Sequence, residues 1–159
     1  MSTPTSSPHR PTSVADLREL QGTELGPTAW FDITQERVDA FAELTGDRQW
    51  IHTDPERAGA SELGGTIGHG LFTLSLGPAF MEELMAFDGF EKSLNYGYGK
   101  VRFPSPLPVG SRIRMRATIT AVDEVPGGAQ VTTTQAFERE GQDKPVCVAE
   151  SIGRFVEHG

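Results

Sequence analysis

The sequence has a single cysteine, no long apolar run and few basic residues. Because Cys147 stands alone among 159 residues, the chain cannot form an internal disulfide or a thiolate metal site, and we expect a reducing compartment, the cytoplasm. No apolar run reaches the roughly 18–20 residues of a membrane span, so no membrane partner is expected. Asp and Glu number 22 against 14 Lys and Arg, and this acidic balance argues against binding of duplex nucleic acid. It leaves open a small anionic ligand held by a local group of arginines.

The length of the chain suits one domain. A chain of this size buries roughly 70% of its unfolded surface on folding. Residues 1–12 are rich in Ser, Thr and Pro and lack the apolar core of a signal peptide, which predicts a flexible tail. We therefore expect a single domain over residues 13–159.

Helical signals dominate the first half of the chain. Residues 14–20 have helical spacing, and Thr34 is a good N-cap for a second helix that Gly46 would end in a left-handed conformation. Residues 71–86 are apolar on nearly all sides, which predicts a long helix at the centre of the core. Pro78 within that segment predicts a kink or a late restart of the helix.

Strand signals dominate the second half. One short strand is predicted earlier, at residues 28–33. Four more are predicted at residues 94–103, 112–122, 130–138 and 146–156, joined mostly by short turns. Segregated helices and strands define an α+β fold. A curved antiparallel sheet wrapped around one buried helix satisfies this order.

The candidate site lies within residues 46–70. Asp47 and His52 are five residues apart, a spacing that brings them together on neither a helix nor a strand, so they converge only on a shaped loop. A carboxylate and an imidazole, with reference pKa values of ~3.9 and ~6.5, could together hold one water and take its proton. Gly70 begins the apolar helix, and its backbone N–H could bind a carbonyl oxygen closely. This set would suit the addition of water to a double bond conjugated with a carbonyl.

Ordinary structural roles compete with this reading of the loop. An Asp after a helix end is often a turn former, and a single histidine is often a packed or surface residue. Gly68 and Gly70 could simply open the helix that follows. No elbow motif marks a serine or cysteine nucleophile.

Two further residues in the segment have a structural explanation. Asp54 is a good N-cap for a short helix that starts at Pro55. The start of the apolar helix dictates the position of His69, which favours a structural or gating role. A metal site made of Asp47, His52 and His69 has no ligand spacing to recommend it, so no metal is predicted.

Two motifs in this segment resemble the MaoC-like dehydratase family. Residues 47–58 read DRQWIHTDPERA, and residues 65–70 read GTIGHG. The family's hydratase motif runs Asp, any residue, Asn, Pro, an aliphatic, His, any residue, Asp, with a His-Gly pair further on. The resemblance covers about residues 30–156 and includes Tyr96 and Gly97.

The resemblance implies a hot-dog fold, a homodimer with the site near the subunit interface, and a defined reaction. Family members include (R)-specific enoyl-CoA hydratases and proteins related to nodulation protein N. The implied reaction is reversible hydration of a trans-2-enoyl-CoA to the (3R)-3-hydroxyacyl-CoA, with the CoA thioester as substrate and no cofactor. Asp47 and His52 would activate the water, and the Gly70 N–H would bind the thioester carbonyl.

The chain departs from the family pattern at two positions. Gln49 stands where Asn is usual, and Trp50, which could wall the acyl pocket, stands where Pro is usual. We expect Gln49, Trp50, Tyr96 and Gly97 to contact the substrate. Four basic residues are candidates to meet CoA phosphates: Arg48, Arg57, Lys92 and Arg102. The alternatives are a non-catalytic acyl-CoA or acyl-carrier binding protein and a hot-dog thioesterase.

Overall fold

The computed structural model describes residues 6–159, and within that range it has six helices and six strands. The helices are α1 (Val14–Leu20), α2 (Gln35–Thr45), α3 (Trp50–Thr53), α4 (Pro55–Gly59), α5 (Gly70–Ser75) and α6 (Gly77–Leu84). The strands are β1 (Glu24–Leu25), β2 (Phe31–Asp32), β3 (Lys92–Arg102), β4 (Arg112–Val125), β5 (Gly128–Arg139) and β6 (Cys147–Val156). Within residues 6–159, no helix has the length and apolar character needed to cross a membrane.

All strands belong to one antiparallel sheet. Its order is β1-β4-β5-β6-β3, and β2 also pairs with β4. The alternation predicted for the second long strand is confirmed, because Ile113, Met115 and Ile119 are fully buried. In register, Phe137 of β5 lies opposite Met115 of β4 and Cys147 of β6. One face of the sheet is therefore the wall of the core.

Helix α6 packs on that face. The Phe80 ring lies 6.1 Å from the ring of Phe137 and 5.8 Å from that of Phe31. Each large apolar side chain buried in this way contributes about 1.5–3 kcal/mol to the free energy of unfolding. The predicted α+β arrangement, a sheet around a central helical segment, is confirmed.

The central helix differs from the prediction in continuity and in exposure. The single helix expected over residues 71–86 is two helices, α5 and α6, and Pro78 lies in the first turn of α6, where a missing N–H is tolerated. The late restart is thus confirmed. Burial on all sides is wrong for Leu71, which is 64% exposed. The helix is central, but α5 presents one side to solvent.

The predicted strand at residues 28–33 is shorter in the structure. Only Phe31–Asp32 pair as β2, and β1 lies upstream where no strand was predicted. Gly26, with φ of +103°, interrupts the extended chain between them. Thr28 still binds β4, because its N–H donates to the Met115 carbonyl and its hydroxyl accepts from the Met115 N–H, both at 2.9 Å.

Part of the segment predicted as a flexible tail is docked on the domain. The His9 N–H donates to the Leu84 carbonyl at 2.9 Å, and the Ala86 N–H donates to the His9 carbonyl at 2.8 Å. Pro11 is buried, and a Cβ at Gly89 would lie only 2.3 Å from the Pro11 carbonyl oxygen. The end of α6 gains hydrogen-bond partners in this way. Residues 1–5 of the predicted tail lie outside the described residues.

Candidate active site

Helix α2 ends where the candidate site begins. Gly46 has φ of +82°, and its N–H donates to the Ala42 carbonyl, which is the predicted left-handed C-cap. Asp47 follows directly and its side chain is exposed. His52 lies on the short helix α3 rather than on a loop without regular structure. Despite the five-residue spacing, one ligand atom of each of Asp47, His52 and His69 lies within 4.8 Å of the others. The predicted convergence of Asp47 and His52 is therefore present.

His52 is held in one tautomer. Its ring is buried, and Nδ1 lies 2.6 Å from the Ile67 carbonyl oxygen. Because a carbonyl only accepts, Nδ1 carries the proton and Nε2 keeps a lone pair. Burial lowers the pKa of His52, the Ile67 hydrogen bond raises it, His69 lowers it and Asp47 raises it, with a net lowering. His52 is therefore neutral at pH 7 and able to accept a proton at Nε2.

The segment that binds His52 is itself fixed on three sides. The Ile67 N–H donates to the Ile51 carbonyl at 3.0 Å, and the Gly68 N–H donates to the Leu107 carbonyl at 2.7 Å. On the other side, the Gln35 side chain donates to the His52 carbonyl at 2.7 Å and accepts from the Thr66 hydroxyl at 2.5 Å. The position of the imidazole thus depends on helix α2, helix α3 and the loop before α5.

His69 belongs to the site in the structural role predicted for it, although its contact with His52 was not predicted. Its ring is 3% exposed and stacks on the His52 ring, with centroids 3.8 Å apart and planes at 26°. Its Nε2 donates to the Asp47 backbone carbonyl at 2.9 Å, and the Phe41 ring packs on it at a tilt, with the two ring centroids 4.9 Å apart. Within residues 6–159, Nδ1 of His69 is buried without a hydrogen-bond partner. The His-Gly pair of the motif was the signal that pointed to this residue, which supports both the Asp47 backbone and the His52 ring.

The same stacking is unfavourable for a metal ion. A metal bound by imidazole lies about 2.0–2.1 Å from the nitrogen, in the plane of the ring. Two stacked rings with centroids 3.8 Å apart and planes inclined by only 26° direct their in-plane nitrogen lone pairs side by side and not toward one shared point. In addition, Nδ1 of His52 and Nε2 of His69 are both engaged by backbone carbonyls. The donor set suits proton transfer better than metal binding.

A cavity of about 320 Å³ opens beside His52. Its other lining residues include Ile67, Gly68, Gly70, Thr73, Val146 and residues 103–107. Gly70 is the first residue of α5, so its N–H has no partner inside the helix. A Cβ at Gly70 would lie 3.0 Å from the Phe103 ring, so contact with this ring also disfavours any larger residue at position 70. Phe103, missed by the sequence argument, is an exposed aromatic just before the proline turn.

Other predicted substrate contacts lie elsewhere. Gln49 is exposed at the start of α3, and Trp50 is covered by the Arg57 guanidinium, 4.3 Å from the ring centre. Tyr96 and Gly97 lie on the edge strand β3, where Tyr96 is 61% exposed. None of these four residues lines the cavity beside His52 within this chain.

The four candidate phosphate-binding cations have different surroundings. Arg48 forms two hydrogen bonds with the Glu43 carboxylate, at 2.8 and 2.9 Å. Lys92 lies 3.4 Å from Glu91, and Arg57 lies over Trp50. Arg102 donates to the Val101 carbonyl and directly precedes Phe103, so it is the one of the four that is adjacent in sequence to a residue lining the cavity beside His52.

Comparisons with known proteins identify the family and agree with this fold. The family described as MaoC like domain matches residues 16–140, and the chain belongs to this family. It is 48% identical to 3-hydroxyacyl-thioester dehydratase Z of Mycobacterium tuberculosis, over 91% of this chain and 96% of that protein. It is 40% identical to Nodulation protein N of Rhizobium leguminosarum bv. viciae, over 88% of this chain and 89% of that protein.

A solved structure supports the same fold. R-Hydratase PhaJ1 from Pseudomonas aeruginosa, in the unliganded form, superposes with a TM-score of 0.74 at 19% identity, over 92% of this chain and 87% of that one. The hot-dog fold and the resemblance to MaoC-like dehydratases are thus confirmed. The chain belongs to a hydratase/dehydratase family.

Proposed function

We propose that the protein catalyses reversible hydration of a trans-2-enoyl-CoA to the (3R)-3-hydroxyacyl-CoA. The observation that carries the proposal is a buried His52, protonated at Nδ1, that lines a cavity and has a carboxylate oxygen of Asp47 within 4.8 Å of one of its ring nitrogens. We propose the (R) configuration by analogy with the (R)-hydratases among the structural neighbours. The thioester follows the name of the mycobacterial relative.

The proposed mechanism uses one water and one backbone donor. The water is held between the Asp47 carboxylate and Nε2 of His52, and it loses a proton to this pair as its oxygen bonds to C3. The C2–C3 π electrons move toward C1, so that negative charge develops on the thioester oxygen. The Gly70 N–H donates to that oxygen. The proton taken from water then returns to C2, so that one water is added in total.

Incubation of the pure protein with crotonyl-CoA tests the proposal. We expect loss of the enoyl absorbance and a (3R) product when the enantiomers are resolved. His52→Gln and Asp47→Asn should each lower kcat/KM by about 10²-fold or more, the usual contribution of an acid–base group. The matched controls His158→Gln and Asp143→Asn alter exposed residues and should retain activity.

Three other outcomes would contradict the proposal. A (3S) product would overturn the stereochemistry. Release of free thiol in place of hydration would indicate a thioesterase; Cys147 is buried and its thiol pKa is raised to about 11 by burial, so it should not disturb a thiol assay. Binding of acyl-CoA with no turnover would indicate a non-catalytic binding protein.

We also propose that the working form is a homodimer in the cytoplasm. Strand β3 is the last strand of the sheet, is 11 residues long and pairs only with β6 within the described chain. Leu94 and Tyr96 on this strand are 50% and 61% exposed. Long edge strands with exposed apolar side chains are usually covered. Sedimentation equilibrium gives the mass directly, and a monomer at assay concentrations would contradict the dimer.

A further inference from the structure

Two side-chain hydroxyls of the described chain line the cavity beside His52, and they differ in their partners. Ser105 is satisfied by the protein, because its hydroxyl donates to the Pro145 carbonyl at 2.9 Å. Thr73, the fourth residue of α5, is 2% exposed, and its hydroxyl has no hydrogen-bond partner among residues 6–159. The cavity therefore has one hydroxyl that the protein leaves free and that the proposed mechanism does not use.

The Thr73 hydroxyl is open to this cavity. Two side-chain polar atoms of residues 6–159 are both fully enclosed and without a partner, namely Nδ1 of His69 and Oε1 of Gln135. The Thr73 oxygen also has no partner in this range, but it is not one of these enclosed atoms, so it keeps some accessible surface. The small exposed part of Thr73 is at the cavity that the residue lines. A ligand in the cavity can therefore reach the hydroxyl.

Helix α5 gives this hydroxyl no partner of its own. A threonine hydroxyl in a helix commonly donates to the backbone carbonyl three or four residues earlier. The His69 carbonyl, four residues before Thr73, accepts from the Thr73 N–H at 3.3 Å and from no side chain among residues 6–159. Ser75 does follow the common pattern, because its hydroxyl donates to the Phe72 carbonyl at 2.7 Å. A valine at position 73 would fill the same space, so packing alone does not account for the hydroxyl.

Thr73 is a neighbour of Gly70 on the surface of α5. Residues three apart lie on the same side of a helix, separated by about 4.5 Å along its axis. Helical side chains lean toward the N-terminus, so the Thr73 side chain lies over the turn that begins at Gly70. Both residues line the cavity beside His52. The Gly70 N–H and the Thr73 hydroxyl are therefore adjacent donors on one wall of this cavity.

We propose that Thr73 is a further catalytic residue, whose hydroxyl donates a second hydrogen bond to the thioester oxygen beside that of the Gly70 N–H. The inference rests on the proposed function, in which this oxygen gains negative charge as water adds at C3. Loss of one donor to such an oxygen usually lowers kcat by about 10²–10³-fold. The hydroxyl keeps its proton throughout, so the proton balance of the hydration is unchanged.

The variants Thr73→Val and Thr73→Ser separate hydrogen bonding from packing. Valine keeps the shape and loses the hydroxyl, whereas serine keeps the hydroxyl and loses a methyl group. We expect kcat for crotonyl-CoA hydration to fall about 10²-fold or more in Thr73→Val, with a smaller change in KM, and to be largely retained in Thr73→Ser. Thr120→Val, at an exposed position on β4, is the matched control and should retain activity.

A packing role for Thr73 would give the opposite order of activities. Wild-type kcat in Thr73→Val, or a serine variant at least as impaired as the valine variant, would overturn the inference. Thr73→Ala takes the place of the valine variant if that protein does not fold.

Infrared spectroscopy of a bound thioester tests the hydrogen bond without turnover. Butyryl-CoA labelled with ¹³C at C1 has the chain length of crotonyl-CoA and no double bond to hydrate. We expect its carbonyl stretch to move to lower frequency on binding, by less in Thr73→Val than in the wild type, and as far in Thr73→Ser as in the wild type. Equal shifts in the wild type and Thr73→Val, or no binding of butyryl-CoA, would overturn the inference.

The two proposals fail separately. Absence of crotonyl-CoA hydration, together with a carbonyl shift that is diminished in Thr73→Val, would contradict the proposed activity and leave the Thr73 hydrogen bond intact. Hydration of crotonyl-CoA with equal rates and equal carbonyl shifts in the wild type and Thr73→Val would contradict the role of Thr73 alone.

Discussion

The imidazole rings of His52 and His69 stack at 3.8 Å, and each is fixed by a backbone carbonyl on a different segment. The Ile67 carbonyl accepts from His52, and the Asp47 carbonyl accepts from His69. His69 therefore links the backbone of Asp47 to the ring of His52, because it donates a hydrogen bond to the one and stacks on the other. This stacked pair explains how an acid and a histidine five residues apart share one site.

The first prediction concerns pH. Because burial lowers the pKa of His52 below the ordinary histidine value of 6.5, the imidazole is uncharged at pH 7 and above. We expect kcat/KM for hydration to rise with pH through a midpoint below 6.5 and to be level above pH 7. A pH series with crotonyl-CoA measures this, and a midpoint above 6.5 would contradict a neutral His52 base.

The same shift predicts the pH dependence of stability. Between the lowered folded pKa and 6.5, the unfolded chain binds a proton at His52 that the folded chain does not. The contribution of His52 to the free energy of unfolding is therefore complete above pH 6.5 and is lost as pH falls through the folded pKa. Urea unfolding of the wild type and His52→Gln at pH 5 to 8 isolates it, since other titrating groups are common to both.

The second prediction concerns His69. His69→Ala removes the stack and the hydrogen bond to the Asp47 carbonyl, so kcat should fall by about 10²-fold, the effect of misplacing a catalytic group by an ångström. The midpoint of the pH profile should also rise, because His69 lowers the pKa of His52. Loss of a buried ring should cost about 2–4 kcal/mol of stability. His158→Ala, at an exposed position, is the control; an unchanged pH midpoint in His69→Ala would argue for a purely structural role.

The contrast between His69 and Asp47 shows what sequence can predict here. Asp47 follows a helix with a local N-cap and a glycine C-cap, so its placement could be predicted from neighbouring residues. The restart of the central helix could be predicted for the same reason, because it depends on Pro78 itself and not on distant contacts. The contact of His69 with His52 depends on tertiary packing of α3 against the start of α5, which no spacing rule describes. The Phe103 ring against Gly70 is likewise a contact between residues 33 apart in the sequence.

The third prediction concerns Gln35, which joins α2 to the His52 backbone. Its amide donates to the His52 carbonyl and accepts from the Thr66 hydroxyl, so Gln35→Leu leaves a polar group on each of two buried residues without this partner. We expect a loss of about 1–3 kcal/mol in stability, the cost of unsatisfied groups. We also expect a fall in kcat larger than any rise in KM, because α3 is less well fixed. Gln21→Leu, at an exposed position, is the control, and an effect on KM alone would contradict a role in positioning His52.

The last prediction separates two reasons for glycine at position 70. In Gly70→Ala the new methyl would lie 3.0 Å from the Phe103 ring, so either the ring or the start of α5 must shift, and hydration activity should fall. Phe103 is 45% exposed, which means that the ring can be removed at modest cost in stability. If the glycine is needed to make room for the ring, the double variant Gly70→Ala with Phe103→Ala should recover most of the activity relative to Phe103→Ala alone. If the glycine is needed so that the thioester oxygen can approach its N–H, the double variant should stay as impaired as Gly70→Ala. We expect the second result, a persistent fall in kcat, because the proposed mechanism places the developing charge at this N–H. Full recovery would show that the thioester oxygen can reach the N–H past a methyl group, so that the glycine serves only to make room for the Phe103 ring.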